Sequence, residues 1–479
     1  MARRPARAPL NVYLNARLVG RLQRESSGAI DFQYDKDWLG WENAIPVSVS
    51  LPLREDRYIG DPVVAVFDNL LPDNDDIRRR VAERSHADGA DAYSLLSAIG
   101  RDCIGALQFL PDGAAPGAAG AIDARAASDQ DIAGILGNLA RNPLGIGLDQ
   151  DFRISLAGAQ EKTALLYWKD KWHIPHGTTA TTHIIKPQIG RLPNGIDLTD
   201  SVENEHLCLE LVGALGLPVA KSRIVDFADR RVLAIERFDR IWTRDGRLLR
   251  IPQEDCCQAL SVPPARKYEA DGGPGIRKIS NFLKGSDTPE GDQAIFFKAQ
   301  IVFWLLAATD GHAKNFSIRL APGGRFVLTP LYDIISTQPS LDAKQITQNQ
   351  MKLAMAIGDK RHYVVHTVLG RHFVQTAKSC GLSDKVVASV FQEPQRHRGQ
   401  AHRPGSECAS DRLPRENGPF DRRGHAAAPD VANGRRQGLI CRDGCGIPIT
   451  SVPTRDGELR NYLVGSWPRV FSRPSLPTD

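Results

Sequence analysis

The eight residues 309–316 (TDGHAKNF) constrain this chain most, because they place an acid and an amide five positions apart at the end of its most apolar run. That run covers residues 294–308. A second acid, Asp333, lies in the stretch 332–336 (YDIIS). A carboxylate can accept the proton of an incoming hydroxyl, while amide and carboxylate oxygens are hard ligands that hold magnesium against ATP phosphates. The pattern predicts a phosphoryl-transfer site, and an ordinary polar loop is the alternative.

Length and composition are those of an ordinary soluble globular protein with room for two or three domains. The 479 residues are 42% apolar and 24% charged, and the net charge of +5 permits contact with nucleic acid without arguing for it. No run approaches the roughly 18 apolar residues of a membrane span, and no apolar segment follows the basic N-terminus. The eight cysteines are scattered. We therefore expect a cytoplasmic protein without membrane contact.

The N-terminal part predicts a small unit of its own over residues 1–111. Residues 10–23 partly alternate between apolar and polar and break at Asn15-Ala16, which is typical of a β-hairpin. The polar run 73–76 (DNDD) predicts the start of a helix. Residues 112–128 are rich in Ala and Gly, so we expect a linker or an exposed loop there.

Residues 152–166 have apolar segments on both sides of a turn of small residues, a pattern that predicts a β-hairpin lid. Ala157, Gly158 and Ala159 have little or no side chain, so their backbone N–H groups could approach phosphate oxygens closely. Gln160 and Lys162 add side-chain donors. The Walker A spacing is absent, and a plain hairpin with a small turn is the alternative.

Lys186 ends the next predicted strand, at the place where a protein kinase has its nucleotide-binding lysine. Such a lysine pairs with a glutamate on a neighbouring helix. A capping-box pattern at residue 200 predicts that helix, and we favour Glu205 over Glu203 as the partner because it lies nearer the apolar stripe. An isolated strand lysine is more often a surface residue. The order of lid, lysine, glutamate helix, acid–amide loop and second acid makes the kinase interpretation more favourable.

These segments together resemble the HipA family, the toxin kinases of bacterial type II toxin–antitoxin systems. The resemblance covers about residues 10–390. Its motifs lie at residues 68–73 (DNLLPD), 155–166 (SLAGAQEKTALL), 181–186 (TTHIIK), 236–240 (ERFDR), 252–255 (PQED), 267–275 (KYEADGGPG), 309–317 (TDGHAKNFS) and 332–336 (YDIIS).

The resemblance implies an α+β, two-lobed, protein-kinase-like fold with a small α/β N-terminal subdomain and a mainly helical C-lobe. It implies that Asp310 is the catalytic base, that Asn315 and Asp333 hold Mg²⁺, and that Ser155 is the site of autophosphorylation. Contacts to ATP are expected from Ala157, Gly158, Ala159, Gln160, Glu161, Lys162, Lys186, Glu236, Phe238, His312 and Lys314. From the residues themselves, 232–240 is an apolar strand with a charged end that fits a hinge whose backbone could hydrogen-bond an adenine edge, and a plain strand is the alternative. The N-lobe would cover residues 129–240.

The family's function implies an ATP-dependent serine/threonine kinase toxin that is inactivated when Ser155 is phosphorylated. Its expected partner is a HipB-like helix-turn-helix antitoxin, with which it would bind operator DNA. The expected substrate is a translation factor, glutamyl-tRNA synthetase in the best-known case. A catalytically dead, kinase-like binding protein is the alternative. Metal-dependent hydrolysis by Asp310, His312 and Asp333 is a third interpretation, although such a site needs neither the lid nor the lysine.

The end of the chain departs from the family pattern. We expect a C-lobe over residues 241–392, with its last helices near residues 363–377 and 383–392. Residues 393–479 contain fourteen Arg and no Lys, although the chain has sixteen Lys, and 20 of these 87 residues are Pro or Gly. A disordered tail and translation in a shifted reading frame both fit this change, and we favour the second. An Arg-rich tail that binds nucleic acid is a third option, but the ten Asp and Glu in the same span weaken its field. A shifted frame would leave the C-lobe incomplete and support the catalytically dead alternative.

Overall fold

The computed structural model describes residues 8–146, 154–158 and 160–392. The Arg-rich segment 393–479 and Ala159 therefore lie outside the described residues. The described part forms an N-terminal domain followed by a two-lobed body. None of its helices is both long and apolar enough to cross a membrane.

The N-terminal domain is an antiparallel five-stranded sheet, in the order β4-β3-β2-β1-β5, covered by helices. Its elements are β1 (Leu10–Leu14), β2 (Arg17–Arg24), β3 (Ile30–Tyr34), α1 (Lys36–Leu39), β4 (Tyr58–Ile59), α2 (Asp61–Asp68), α3 (Asp75–Ser85), α4 (Ala92–Ile99) and β5 (Leu107–Pro111). The predicted hairpin is confirmed: Asn15 and Ala16 join β1 to β2 with φ values of 45° and 67°, as a tight two-residue turn requires. The predicted helix start is also confirmed, because Asn74 caps α3 with its side chain.

The N-lobe is a six-stranded sheet in the order β12-β13-β9-β7-β8-β6, with one long helix beside it. Its elements are β6 (Ala124–Ala126), α5 (Asp129–Gly137), β7 (Thr163–Trp168), β8 (Lys171–Pro175), β9 (His183–Pro187), β10 (Gly190–Arg191), β11 (Asp197–Leu198), α6 (Ser201–Ala214), β12 (Ser222–Phe227) and β13 (Arg230–Glu236). The prediction of a linker over residues 112–128 was wrong at its end. Residues 124–126 pair with β8 and are the edge strand of this sheet.

The C-lobe is mainly helical and is built around α9, whose middle is buried on all sides. Its elements are β14 (Arg240–Trp242), β15 (Leu248–Arg250), β16 (Gln253–Asp255), α7 (Cys256–Ala259), α8 (Ile276–Leu283), α9 (Pro289–Leu306), β17 (Ser317–Leu320), β18 (Phe326–Leu328), α10 (Gln338–Asp342), β19 (Lys352–Ile357), β20 (His362–Val364), α11 (Gly370–Cys380) and α12 (Asp384–Gln392). The helix predicted from residue 363 begins only at Gly370, because residues 362–364 pair with β19 instead.

The N-terminal domain and the N-lobe share one hydrophobic core, whereas the C-lobe has its own. Leu10 and Phe67 of the first domain belong to the same cluster as Leu165 and Ile185 of the N-lobe sheet. Burial of this common apolar surface favours the two parts moving together. The N-terminal domain is therefore fixed against the N-lobe.

Candidate active site

A cavity of about 530 Å³ lies between the two lobes and is also lined by the N-terminal domain. Most of the sequence-predicted site residues line it: Ala157, Gly158, Gln160, Glu161, Lys162, Lys186, Glu236, Phe238, Asp310, His312, Lys314, Asn315 and Asp333. Ser155 and Glu205 are not in its lining. Ala159 was predicted as an ATP contact and lies outside the described residues.

Lys186 forms two ion pairs in this cleft. Its Nζ lies 2.7 Å from Glu205 Oε1 and 2.6 Å from Asp333 Oδ1, and the lysine and the glutamate are almost fully buried. Burial alone would lower the pKa of Lys186, but the two carboxylates raise it. Burial would raise the pKa of Asp333, but Lys186 and Lys162 hold it well below its usual range. Lys186 is therefore a fixed positive charge at neutral pH. Glu203, the rejected alternative, pairs with Arg231 at the surface.

The acid–amide loop follows directly from the C-terminus of α9. Ala307 ends that helix in the left-handed conformation, and the loop then passes against Phe303. A side chain at Gly311 would place its Cβ 2.5 Å from the Phe303 ring, so the turn requires glycine. Asn315 Nδ2 donates to the backbone carbonyl of Asp310 at 2.7 Å, which fixes the amide beside the acid.

The described residues fit a magnesium ion that is shared with phosphates. The bond from Nδ2 leaves Asn315 Oδ1 available to a cation, and Asp333 has a second oxygen that Lys186 does not occupy. Asp333 has a φ of 59°, in the left-handed region that aspartate adopts more readily than most residues other than glycine. Within the described ranges, no group of three or more His, Cys, Asp or Glu side chains could hold a metal alone. Magnesium commonly takes one or two protein ligands and completes its shell with phosphates and water.

His312 and Tyr268 surround the Asp310 side chain. Tyr268 Oη donates to Asp310 Oδ1 at 2.5 Å, and His312 Nε2 lies 3.8 Å from the same oxygen. Burial lowers the pKa of His312, so the ring is neutral at pH 7. Sequence reasoning gave Tyr268 no role, although it lies in the motif 267–275.

The described part of the predicted lid is not a β-hairpin, so that prediction was wrong. Ile154 and Gly158 instead form parallel bridges with Asp102 and Pro72 of the N-terminal domain. An alternation of apolar and small residues cannot indicate which backbone supplies the hydrogen bonds. Gly158 has a φ of 106°, and a Cβ there would lie 2.6 Å from Lys162 Nζ, so only glycine fits.

Lys162 and Ser155 are both buried within this segment. Lys162 Nζ donates to the Ala157 carbonyl at 2.7 Å, and burial with the nearby Lys186 charge lowers its pKa to about 8. Ser155 is fully buried, and its hydroxyl donates to the Leu70 carbonyl at 2.8 Å. The serine is therefore closed off from the cleft in this conformation.

The other predicted ATP contacts hold neighbouring parts of the cleft together. Gln160 Nε2 donates to the Pro187 carbonyl at 3.0 Å, and Glu161 accepts from Arg80 at 3.3 Å. At the end of β13, the backbone N–H of Glu236 donates to Lys221. Phe238 packs against Tyr332 with ring centroids 5.8 Å apart.

Asp73 is a cleft residue whose role sequence reasoning missed. Its carboxylate lies 2.8 Å from Lys314 Nζ and 2.7 Å from Lys267 Nζ. Burial would raise the pKa of Asp73, but the two lysines lower it to about 2. Lys314, expected at the phosphates, is thus bound to the N-terminal domain. The motif 68–73 was the available signal for Asp73. Because Asp73 lies 241 residues before Lys314 in the chain, the sequence did not show that the two side chains are in contact.

The chain is similar to known proteins over most of its length. The HipA N-terminal domain model matches residues 10–110, and the HipA-like C-terminal domain model matches residues 154–400. A Sinorhizobium fredii protein named as a kinase, Y4mE, is 36% identical over 355 residues, or 73% of this chain and 81% of that protein. The serine/threonine-protein kinase toxin HipA of Shewanella oneidensis is 28% identical over 365 residues, or 73% of this chain and 79% of that protein.

A solved structure extends the likeness to the fold. The complex of HipA, HipB and operator DNA from Shewanella oneidensis MR-1 matches with a TM-score of 0.66 and 25% identity, over 80% of this chain and 87% of that one. The expected two-lobed, kinase-like α+β fold is therefore confirmed. The C-terminal domain model alone covers more than half of the 479 residues. The resemblance predicted from the motifs is confirmed, and the chain belongs to the HipA family.

Proposed function

We propose that this chain is an ATP-dependent serine/threonine protein kinase that acts as the toxin of a type II toxin–antitoxin system. One observation carries the proposal: the buried Lys186 contacts both Glu205 and Asp333 in the cleft that also holds Asp310. In protein kinases, a strand lysine paired with a helix glutamate positions the ATP phosphates. An isolated polar loop would need neither ion pair.

We assign each residue a role from its position in the cleft. Lys186 would hold the α- and β-phosphates, with Glu205 fixing its direction. Asn315 and Asp333 would hold Mg²⁺, which neutralises charge on the β- and γ-phosphates when it is bound. Asp310 would accept the proton of the acceptor hydroxyl. The apolar cleft walls at Ile235 and Phe238 would receive the adenine.

Phosphorylation of Ser155 would be incompatible with its observed position. The hydroxyl is buried against the Leu70 carbonyl, and a phosphate carries almost two negative charges that cannot be desolvated there. Modification would therefore release residues 154–158 from Asp102 and Pro72. This supports self-inactivation through loss of the phosphate-binding segment.

The partners follow from the family. We propose a HipB-like antitoxin, operator DNA bound through that antitoxin, and a translation factor such as glutamyl-tRNA synthetase as substrate. Support comes from the Shewanella complex of HipA, HipB and operator DNA, which matches 80% of this chain. A net charge of only +5 agrees with DNA contact made mainly by the antitoxin.

The test is the intact mass of the chain after incubation with ATP and magnesium. We expect one added phosphate, mapped to Ser155, and none in Asp310→Asn. Asp342→Asn is the matched control, because this carboxylate lies on the exposed surface of α10 and, among the described residues, accepts a side-chain hydrogen bond from Gln338 alone. A folded wild-type chain that binds nucleotide but gains no phosphate, and transfers none to glutamyl-tRNA synthetase, would favour the alternative of a dead, kinase-like binding protein.

A further inference from the structure

We propose that Tyr268 is a positioning residue that holds the Asp310 carboxylate in the orientation needed to accept a proton from the acceptor hydroxyl. The inference rests on the proposed kinase function and deepens it. It concerns a residue that touches the proposed base and not the nucleotide.

The Asp310 carboxylate needs an external support. Its side chain is 56% exposed, so protein atoms cover less than half of it and do little to restrict its rotation. In the part of the chain that the structure describes, Tyr268 Oη is the only group within hydrogen-bond distance of its oxygens. His312 Nε2, at 3.8 Å, is too far for such a bond. Without Tyr268, the carboxylate would be free to sample several rotamers.

Tyr268 itself is held firmly. Its carbonyl accepts from the backbone N–H of Gly273 at 2.9 Å, and its ring packs edge-on against His312 at 4.9 Å. The preceding residue, Lys267, is tied to Asp73 at 2.7 Å. A phenol on a fixed backbone can therefore hold the carboxylate that it binds in one orientation. This argues against a side chain poised to swing away.

The protonation state of the phenol and the oxygen that it binds both suit a residue that orients a general base. Burial and the Asp310 charge raise the pKa of Tyr268, so the phenol stays protonated and donates at neutral pH. The phenol binds Oδ1, and a carboxylate has about four lone-pair sites. Oδ2 therefore remains for the acceptor hydroxyl, and the tyrosine does not have to leave. A general base that is itself oriented by a third group is a recurring arrangement in active sites.

Tyr268→Phe tests this, because it removes the hydroxyl and keeps the ring against His312. The rate of phosphate incorporation into the chain is measured by mass against ATP concentration. We expect the maximal rate to fall about ten- to a hundredfold, since hydrogen bonds to charged groups are worth about that factor. The KM for ATP should stay within about twofold, because an interaction lost only in the transition state changes the rate and not substrate binding.

Tyr363→Phe is the matched control. Its hydroxyl accepts from Arg361 at 2.7 Å, and both tyrosines line a second cavity of about 590 Å³, but Tyr363 makes no bond to Asp310. We expect the wild-type rate for this variant.

Each other outcome would overturn the inference. An unchanged rate in Tyr268→Phe, with an active wild-type chain, would remove the positioning role and leave the kinase function standing. A faster rate would identify the tyrosine as a competitor of the acceptor. Equal losses of rate and of ATP affinity would indicate a structural role only. A wild-type chain without phosphoryl transfer would overturn the proposed function together with this inference.

Discussion

Asp102 is the residue whose replacement should destabilise this protein most clearly. It is buried at the meeting point of the N-terminal domain, the N-lobe and the start of the C-lobe. Its carboxylate accepts hydrogen bonds from Arg240 at 2.8 Å, Arg250 at 3.0 Å and Arg237 at 3.3 Å, and from the Thr181 hydroxyl at 2.8 Å.

The magnitude follows from the charges in this cluster. Three buried arginines face two buried aspartates, Asp102 and Asp239, so the cluster carries one net positive charge. Asp102→Asn keeps the shape, raises that net charge to two, and turns an amide N–H toward arginine donors. Breaking a buried ion pair by removing one partner costs about 3–5 kcal/mol. We expect the free energy of unfolding to fall by an amount of that order.

The assay is urea unfolding followed by tryptophan fluorescence and circular dichroism. Asp245→Asn is the matched control, since Asp245 makes a comparable contact with Arg247 at 2.7 Å but is exposed. The control should unfold with the wild-type midpoint, because surface ion pairs contribute little. An Asp102→Asn midpoint equal to that of Asp245→Asn would refute the reasoning.

The dependence on pH gives a second check. Burial would raise the pKa of Asp102, but the three arginines hold it well below its ordinary value. A lowered folded-state pKa stabilises the protein above the unfolded-state value of about 3.9, and the contribution is lost as the pH falls below that value. The difference between wild type and Asp102→Asn should therefore be full at neutral pH and should shrink below about pH 4.

Two further changes test the cleft. Glu205→Gln removes one of the two carboxylates on Lys186, and we expect phosphoryl transfer to fall about tenfold or more, measured by mass; an unaltered rate would mean that Asp333 alone orients the lysine. Gly158→Ala forces a side chain onto a φ of 106° and against Lys162 Nζ; we expect a lower melting temperature from the strained backbone and weaker binding of ATP by calorimetry at a temperature where the variant is folded, and unchanged affinity would show that this segment does not contact the nucleotide.

Local chemistry made several elements predictable. The Asn15-Ala16 turn and the helix start within residues 73–76 each depend on residues close together in the chain, and both were found where the sequence indicated. The ordered motifs also identified the family correctly. Pairing of the kinase lysine with Glu205 could be expected because both lie in regular elements whose faces can be worked out from their periodicity.

Pairings between distant segments could not be predicted in this way. Residues 154–158 were predicted to pair within a hairpin, but they bond to the N-terminal domain. Residues 124–126 were predicted as linker, but they complete a sheet edge. In both cases the backbone partner lies in another part of the chain, and side-chain pattern carries no information about which backbone supplies the hydrogen bonds.

The sequence by itself determined the chemistry available to this protein: a lysine, two acids, an amide and a glycine-containing loop, in the order of a kinase. Only the tertiary structure decided how that chemistry is held. Asp73 is bound to Lys314, and Tyr268 to Asp310, across 241 and 42 residues of chain. Such contacts depend on the packing of whole domains, because a side chain only a few ångströms long meets its partner when the core has already fixed both backbones.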